Sequence, residues 1–436
     1  MPNKGITALL AGSVCMYIWV FYFVERQQSL ALATAFSLLF LCYAIVMKKR
    51  EQISLRTLLF FSVVIRLVAL FAIPALSDDV YRFLWDGHLM QNGFNPFSFT
   101  PADFIEQHGL GLPGLNKSLY ELLNSKAYFT IYPPIQQGVN YVVTAIAGPD
   151  IKMGIVLNRS VLLAIEFCLL ALALKMFKKD KYIFIYFLNP LVVLEVSGNL
   201  HMEGAMLFFL AGFFFFFYKK KHVMGFASLA LAVASKLLPL MVFPFVFNKM
   251  NFKKAVATLL FTVLIIGLLF YPLLDVGFLM GMKSSLALYF RTFEFNASVF
   301  YLVRQIGFWL VGYNVIQTAG PMLALTTFAC IIALSFYDRR QNFTWPQIAQ
   351  YCLVIYFLFT NTLHPWYVVT LVGLSMFTRA QFSLVWSFFI FFTYLGYSDT
   401  GYTENYYLIT IEYFLVLLVL LKDLNIIKVQ WPWITN

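Results

Sequence analysis

Apolar runs of about 18 to 22 residues recur along the whole sequence, and nothing else in it restricts the possible folds as strongly. A run of that length crosses a bilayer as one α-helix. The alternating ten-residue blocks of a transmembrane barrel are absent. The expectation is an all-α, polytopic transmembrane bundle. Composition agrees: 61% of residues are hydrophobic and 12% charged, where soluble domains carry about a quarter charged.

The net charge of +11 is concentrated in short loops between apolar runs, at Lys48-Lys49-Arg50, Lys178 to Lys181, Lys219-Lys220-Lys221, Lys253-Lys254 and Arg339-Arg340. That is the positive-inside pattern, and it speaks for membrane lipids as neighbours and against nucleic acid as a partner. It orients runs at about 5–23, 29–47, 57–76, 154–175, 182–199, 204–218, 254–273, 317–337, 345–362, 366–378, 381–397 and 406–421, with two short helices inside 223–249. The expected total is about 14 crossings with both termini cytoplasmic. Segment 77–131 carries six acids against three bases, which places it outside. Segment 274–315 forms a second outer stretch. Residues 135–147 and 297–312 are too short to span and read as helices in the interface. With no repeat or linker, 1–436 is one domain. The five cysteines lie inside apolar runs and offer neither a disulfide framework nor a zinc site.

Ser77-Asp78-Asp79-Val80-Tyr81-Arg82-Phe83-Leu84-Trp85-Asp86-Gly87 directly follows an apolar run, so its carboxylates meet the membrane edge. Ionisable groups at that depth are expensive and usually functional. On a helix, Asp79, Arg82 and Asp86 share a face, and Asp78 pairs with Arg82 at i+4. A carboxylate kept ionised by an arginine can take a proton from a hydroxyl. Helix capping is the plainer role for one aspartate. Asp78, Asp79 and Asp86 also offer oxygens to a divalent cation, at a spacing that is not diagnostic. Elsewhere, His201 and Glu203 end a span and suit sugar hydroxyls or an interfacial turn equally. Lys236, at the centre of a Pro-broken apolar hairpin, suits a lipid phosphate. Arg291 and Arg304 are phosphate ligands or interfacial anchors, and His364, before Pro365-Trp366-Tyr367, binds phosphate or sugar or belongs to an aromatic belt. Arg66, in mid-span, faces the bundle or pairs with a carboxylate. No nucleotide fingerprint appears, so a lipid-carried donor fits better than a nucleotide sugar.

The acidic stretch, with Gly93-Phe94-Asn95-Pro96-Phe97, Tyr132-Pro133-Pro134, Asn189-Pro190, Gly198 to Gly204, Ser235-Lys236-Leu237-Leu238-Pro239 and His364-Pro365-Trp366-Tyr367, resembles GT-C glycosyltransferases. The likeness is greatest to bacterial polyprenol-phosphate-mannose-dependent mannosyltransferases. The resemblance implies an inverting transferase in the bacterial cytoplasmic membrane. It would move a sugar, mannose first, from a polyprenyl-phosphate donor to a lipid or glycan acceptor at the outer face. It also implies Asp78 as general base with Asp79 its acidic neighbour, the two remaining interchangeable. Arg82, Trp85, Asp86, Tyr132, His201, Glu203, Lys236, Arg291 and His364 are the expected substrate-binding residues. The rival expectation is a carrier or flippase of a lipid-linked saccharide, which predicts inverted repeats and polar groups spread through the bilayer depth.

Overall fold

The computed structural model describes residues 4–427. The described chain is almost entirely helical; the one sheet is a hairpin pairing Tyr397–Ser398 with Gly401–Tyr402. Five helices are long and apolar enough to cross a membrane: Gly5–Phe23, Ser29–Lys48, Ile151–Phe177, Phe252–Leu273 and Ile316–Gln341. A sixth candidate is the pair Lys181–Phe187 and Pro190–Gly198, bent by 45°. Seven more apolar helices have only 10–17 residues, so length and composition support five or six crossings rather than about 14.

The difference lies in the runs at about 204–218, 345–362, 366–378 and 381–397, which form helices of only 10–17 residues; proline marks some boundaries, because it removes a donor and pushes the preceding residue out of helical geometry. The break at Asn189 precedes Pro190, and His364, extended at ψ 155, precedes Pro365. The 57–76 run is helical only over Leu55–Leu67 and then turns toward Pro74. The extreme termini lie outside the described residues.

The main apolar core joins the first two helices to those from residue 184 to 235 and from 345 to 420. Arg66 is buried in it. Its Nε and Nη2 donate to Glu166 Oε2 at 3.2 and 3.0 Å, and Nη1 donates to the carbonyls of Ser62 and Phe187. Tyr186 donates to the other Glu166 oxygen at 2.8 Å. Arg66 thus takes the second of its expected roles. Removing one partner of such a pair leaves a bare buried charge. Arg66→Met should therefore lower unfolding stability by about 3–5 kcal/mol, and Arg66→Met/Glu166→Met should recover most of that in the same detergent melting assay.

The 77–131 segment folds against one end of this bundle. Asp79–Gln91 forms a helix whose first N–H is accepted by Ser77 Oγ at 3.4 Å. Val80 and Phe83 pack on Ile155, Leu162, Leu200, Met202 and Ala205. Leu84, Trp85 and Leu89 pack on Phe104, Leu115, Leu119 and Val143. Clamped on two sides, the helix holds its N-terminus over the turn at 200–203. At Gly87 it meets the neighbouring helix Pro134–Ala147 so closely that a Cβ would stand 2.5 Å from the Asn140 carbonyl oxygen. Only glycine fits that crossing. Pro134–Ala147 is short and amphipathic: it buries Gln136, Gln137, Asn140 and Val143 and exposes Tyr141, Val142 and Ile146. Val299–Val311 is similar, so both expected short helices form.

Candidate active site

Asp78 stands at the start of the Asp79–Gln91 helix, but its side chain makes no capping bond. It pairs with Arg26, whose Nη2 lies 3.1 Å from Oδ2. Arg26 also donates to the Leu76 carbonyl at 3.3 Å and lies 4.6 Å from the centre of the Tyr397 ring.

Asp79 points elsewhere. Protein surrounds its carboxylate, yet part of the residue remains open. The Tyr132 hydroxyl and the Lys236 ammonium both stand near enough to favour its ionised form. Burial raises its pKa above the ordinary aspartate value, and the attraction of Lys236 and the Tyr132 bond only partly offset that. Tyr132 is itself held edge-on against Phe83 at 4.7 Å.

Lys236 follows the helix His222–Ser235 in extended conformation, φ −153° and ψ 138°, which turns its side chain out of the helical row. Its ammonium lies 2.9 Å from Glu203 Oε1 and 5.8 Å from the centre of the Tyr367 ring. Glu203 is buried, and its carboxylate has no well-aligned hydrogen bond besides that ionic contact.

The turn that delivers Glu203 has unusual backbone. Val193–Gly198 is π-helical, and Leu200, fully buried, has φ 68°. A branched side chain in the left-handed region is strained and persists only where its surroundings hold it; here these are the Val80 and Phe83 contacts. Arg159 steadies the same turn by donating to the carbonyls of Ser197 and Gly198 at 2.8 and 3.0 Å. The turn aims His201 at Trp366, with ring centres 4.0 Å apart, and His364 covers the other face of that indole at 4.3 Å. Glu195 lies 3.5 Å from His201 and accepts from Asn199 and Tyr394. Burial, with Lys236 nearby, lowers the His364 pKa to about 3, so its imidazole is neutral.

The structure therefore brings Asp79, Tyr132, Glu203, Lys236, His201 and His364 together, from stretches up to 285 residues apart in the chain (364 − 79). Other expected site residues lie elsewhere. Arg82 and Asp86 pair at 2.7 Å, and Asp86 also accepts from Thr130 at 2.5 Å and Gln137 at 3.0 Å. Arg82 donates to the Tyr128 carbonyl. The two form an internal brace, although Arg82 Nη2 keeps a buried, unpartnered N–H. Trp85 is fully buried against Phe104 and Tyr120. Arg291 is exposed at the end of the helix Val276–Arg291. Arg304 pairs with Glu294. With Asp86 turned into its brace, the three aspartates do not converge, and among the described residues no group of three or more His, Cys, Asp or Glu is placed to hold a metal ion.

Arg26 is the site residue that sequence reasoning missed. It sits in the polar turn Glu25-Arg26-Gln27-Gln28, and the one available signal was that this turn falls on the same side of the membrane as Asp78 in the expected topology.

Residues 7–251 match the family described as alpha-(1->6)-mannopyranosyltransferase, N-terminal domain. The chain belongs to that family. Alpha-(1->6)-mannopyranosyltransferase A of Corynebacterium glutamicum is 26% identical to it over 182 residues, 41% of this chain and 35% of that protein. The match thus spans about a third of that relative's length. No solved structure matches. The span matched to the alpha-(1->6)-mannopyranosyltransferase family holds Arg26, Asp78, Asp79, Tyr132, His201, Glu203 and Lys236, whereas His364 and Trp366 come from beyond it.

Proposed function

We propose that this chain transfers mannose from a polyprenyl-phosphate carrier to a hydroxyl of a lipid or glycan acceptor, with inversion, at the outer face of the membrane. The observation that carries the reading is a partly open carboxylate, Asp79, under the electrostatic influence of a lysine, Lys236, that also pairs with Glu203, in a chain of a mannosyltransferase family.

The chemistry needs both groups. Asp79 accepts the proton of the acceptor hydroxyl as its oxygen bonds to the anomeric carbon. The bond from that carbon to the phosphate oxygen breaks, and its electron pair leaves on polyprenyl phosphate. Lys236 faces the phosphate, where negative charge grows. A single displacement of this kind inverts the anomeric centre. Asp79 rather than Asp78 is the better placed base, because Asp78 is already held by Arg26.

The test is to incubate the purified protein with a panel of polyprenyl-phosphate sugars and a crude membrane-lipid acceptor and to follow release of polyprenyl phosphate. Release from the mannose-loaded carrier first is the expected result; no release from any donor overturns the reading. The pH profile adds a second check. A protonated Asp79 cannot act as base, so transfer falls on acidification through its raised pKa. The acid limb should inflect above the ordinary aspartate value of 3.8.

A further inference from the structure

We propose that Arg26 is a positioning residue that gives the two adjacent aspartates different work, holding Asp78 in an ion pair so that Asp79 alone is free to meet the acceptor. The kinetic part of this inference rests on the transferase reading; the electrostatic part does not.

Three segments far apart in sequence meet at Asp78: the turn between the first two helices, the start of the Asp79–Gln91 helix, and the hairpin that carries Tyr397. The arginine fork bonds both the Asp78 carboxylate and the Leu76 carbonyl, which fixes the chain just before the helix. Asp78 contributes no helix cap, so the ion pair is the role that the structure shows for its side chain. A pair this close to solvent adds little to stability by itself. Its effect is on charge. Neighbouring carboxylates repel, and each raises the pKa of the other unless a cation stands by.

Asp79 is faced by Asp78, Glu203 and Lys236, by Tyr132 and Tyr289, and by Tyr367, Tyr397 and Glu195 from the elements packed against it. Asp78 is faced by Arg26, Tyr81 and Tyr397. Lys236 is shared between Glu203 and Asp79. Without Arg26, the charge on Asp78 would act on Asp79 unopposed.

The test uses the full chain with Arg26→Gln, Arg26→Lys, Asp78→Asn and the double variant Arg26→Gln/Asp78→Asn. Melting is read at about pH 5 and about pH 7.5. In Arg26→Gln the repulsion between the two adjacent carboxylates is no longer opposed by the arginine, so stability is retained at the lower pH and lost as pH rises. Its melting temperature should fall further below wild type at the higher pH, and Arg26→Lys and the double variant should remove that difference. An equal drop at both pH values means a brace only and overturns the proposal. In the transfer assay, Arg26→Gln should lower kcat by about tenfold to a hundredfold. The donor KM should stay within about threefold, and the acid limb should move to higher pH. Arg26→Lys should restore both. An unchanged pH profile also overturns the proposal. If wild type transfers from no donor, the transferase reading fails, and the melting comparison still decides whether Arg26 governs the charge on Asp78.

Discussion

Asp79→Asn should reduce sugar transfer by about a thousandfold or more while the protein remains as stable as wild type or gains stability. The two effects diverge because the same burial causes both. A carboxylate surrounded by protein is costly to keep ionised, and burial is the first cause of the raised pKa of Asp79. Asparagine is nearly the same size, removes the charge, and leaves an oxygen for the Tyr132 hydroxyl. The fold therefore loses little. The proposed reaction loses its proton acceptor, and positioned general bases contribute about 10² to 10⁴ in rate. Asp78→Asn should behave differently. It breaks a partly exposed pair with Arg26, worth about 0–1 kcal/mol, and should cost about tenfold in kcat through the disturbed helix start. Steady-state transfer rates for both variants, with melting curves alongside, settle the order. If Asp78→Asn is the inactive variant and Asp79→Asn retains most activity, the base is Asp78.

The groups of the candidate site were legible in the sequence because each is polar in an apolar setting: Asp79 after a span, Lys236 at a break between Ser235 and Pro239, His201 and Glu203 in a turn between two apolar runs. Physical cost marked them. Their partners were not legible. Periodicity shows which face of a helix is polar, not what that face meets, so Arg26 in an ordinary loop gave no sign, beyond its expected side of the membrane, that it reaches Asp78, 52 residues away. The i, i+4 spacing suggested an Asp78–Arg82 pair, but Arg82 instead pairs forward with Asp86, whose carboxylate is also held by Thr130 and Gln137. Trp85 was expected to bind substrate, and its neighbours Phe104 and Tyr120 are recognisable only once the 77–131 segment is folded. The all-α class was readable from run lengths alone. The number of crossings was not, because several apolar runs form helices of only 10–17 residues, shorter than a bilayer requires.

Replacing Lys236 by methionine carries the second large expected effect, and here activity and stability should fall together before they can be separated. Glu203 is buried, and its charge is met by Lys236 at 2.9 Å without any well-aligned hydrogen bond. Removing the ammonium strands that carboxylate, a change that typically costs about 3–5 kcal/mol. It also removes the cation proposed to face the leaving phosphate, and loss of one such preorganised group lowers kcat by about 10² to 10³. A drop in activity alone would therefore be ambiguous. Adding Glu203→Gln resolves it, because the glutamine has no charge to strand. Lys236→Met/Glu203→Gln should regain most of the lost melting temperature and none of the lost transfer. Lys236→Arg should keep stability near wild type through a retained pair with Glu203. It should still transfer more slowly, since a planar fork does not reproduce a compact ammonium at the same point. Transfer recovered together with stability in the double variant would show that Lys236 serves only to neutralise Glu203. The cation for the phosphate would then have to come from outside this group, and the buried unpartnered Nη2 of Arg82 is the next donor to test.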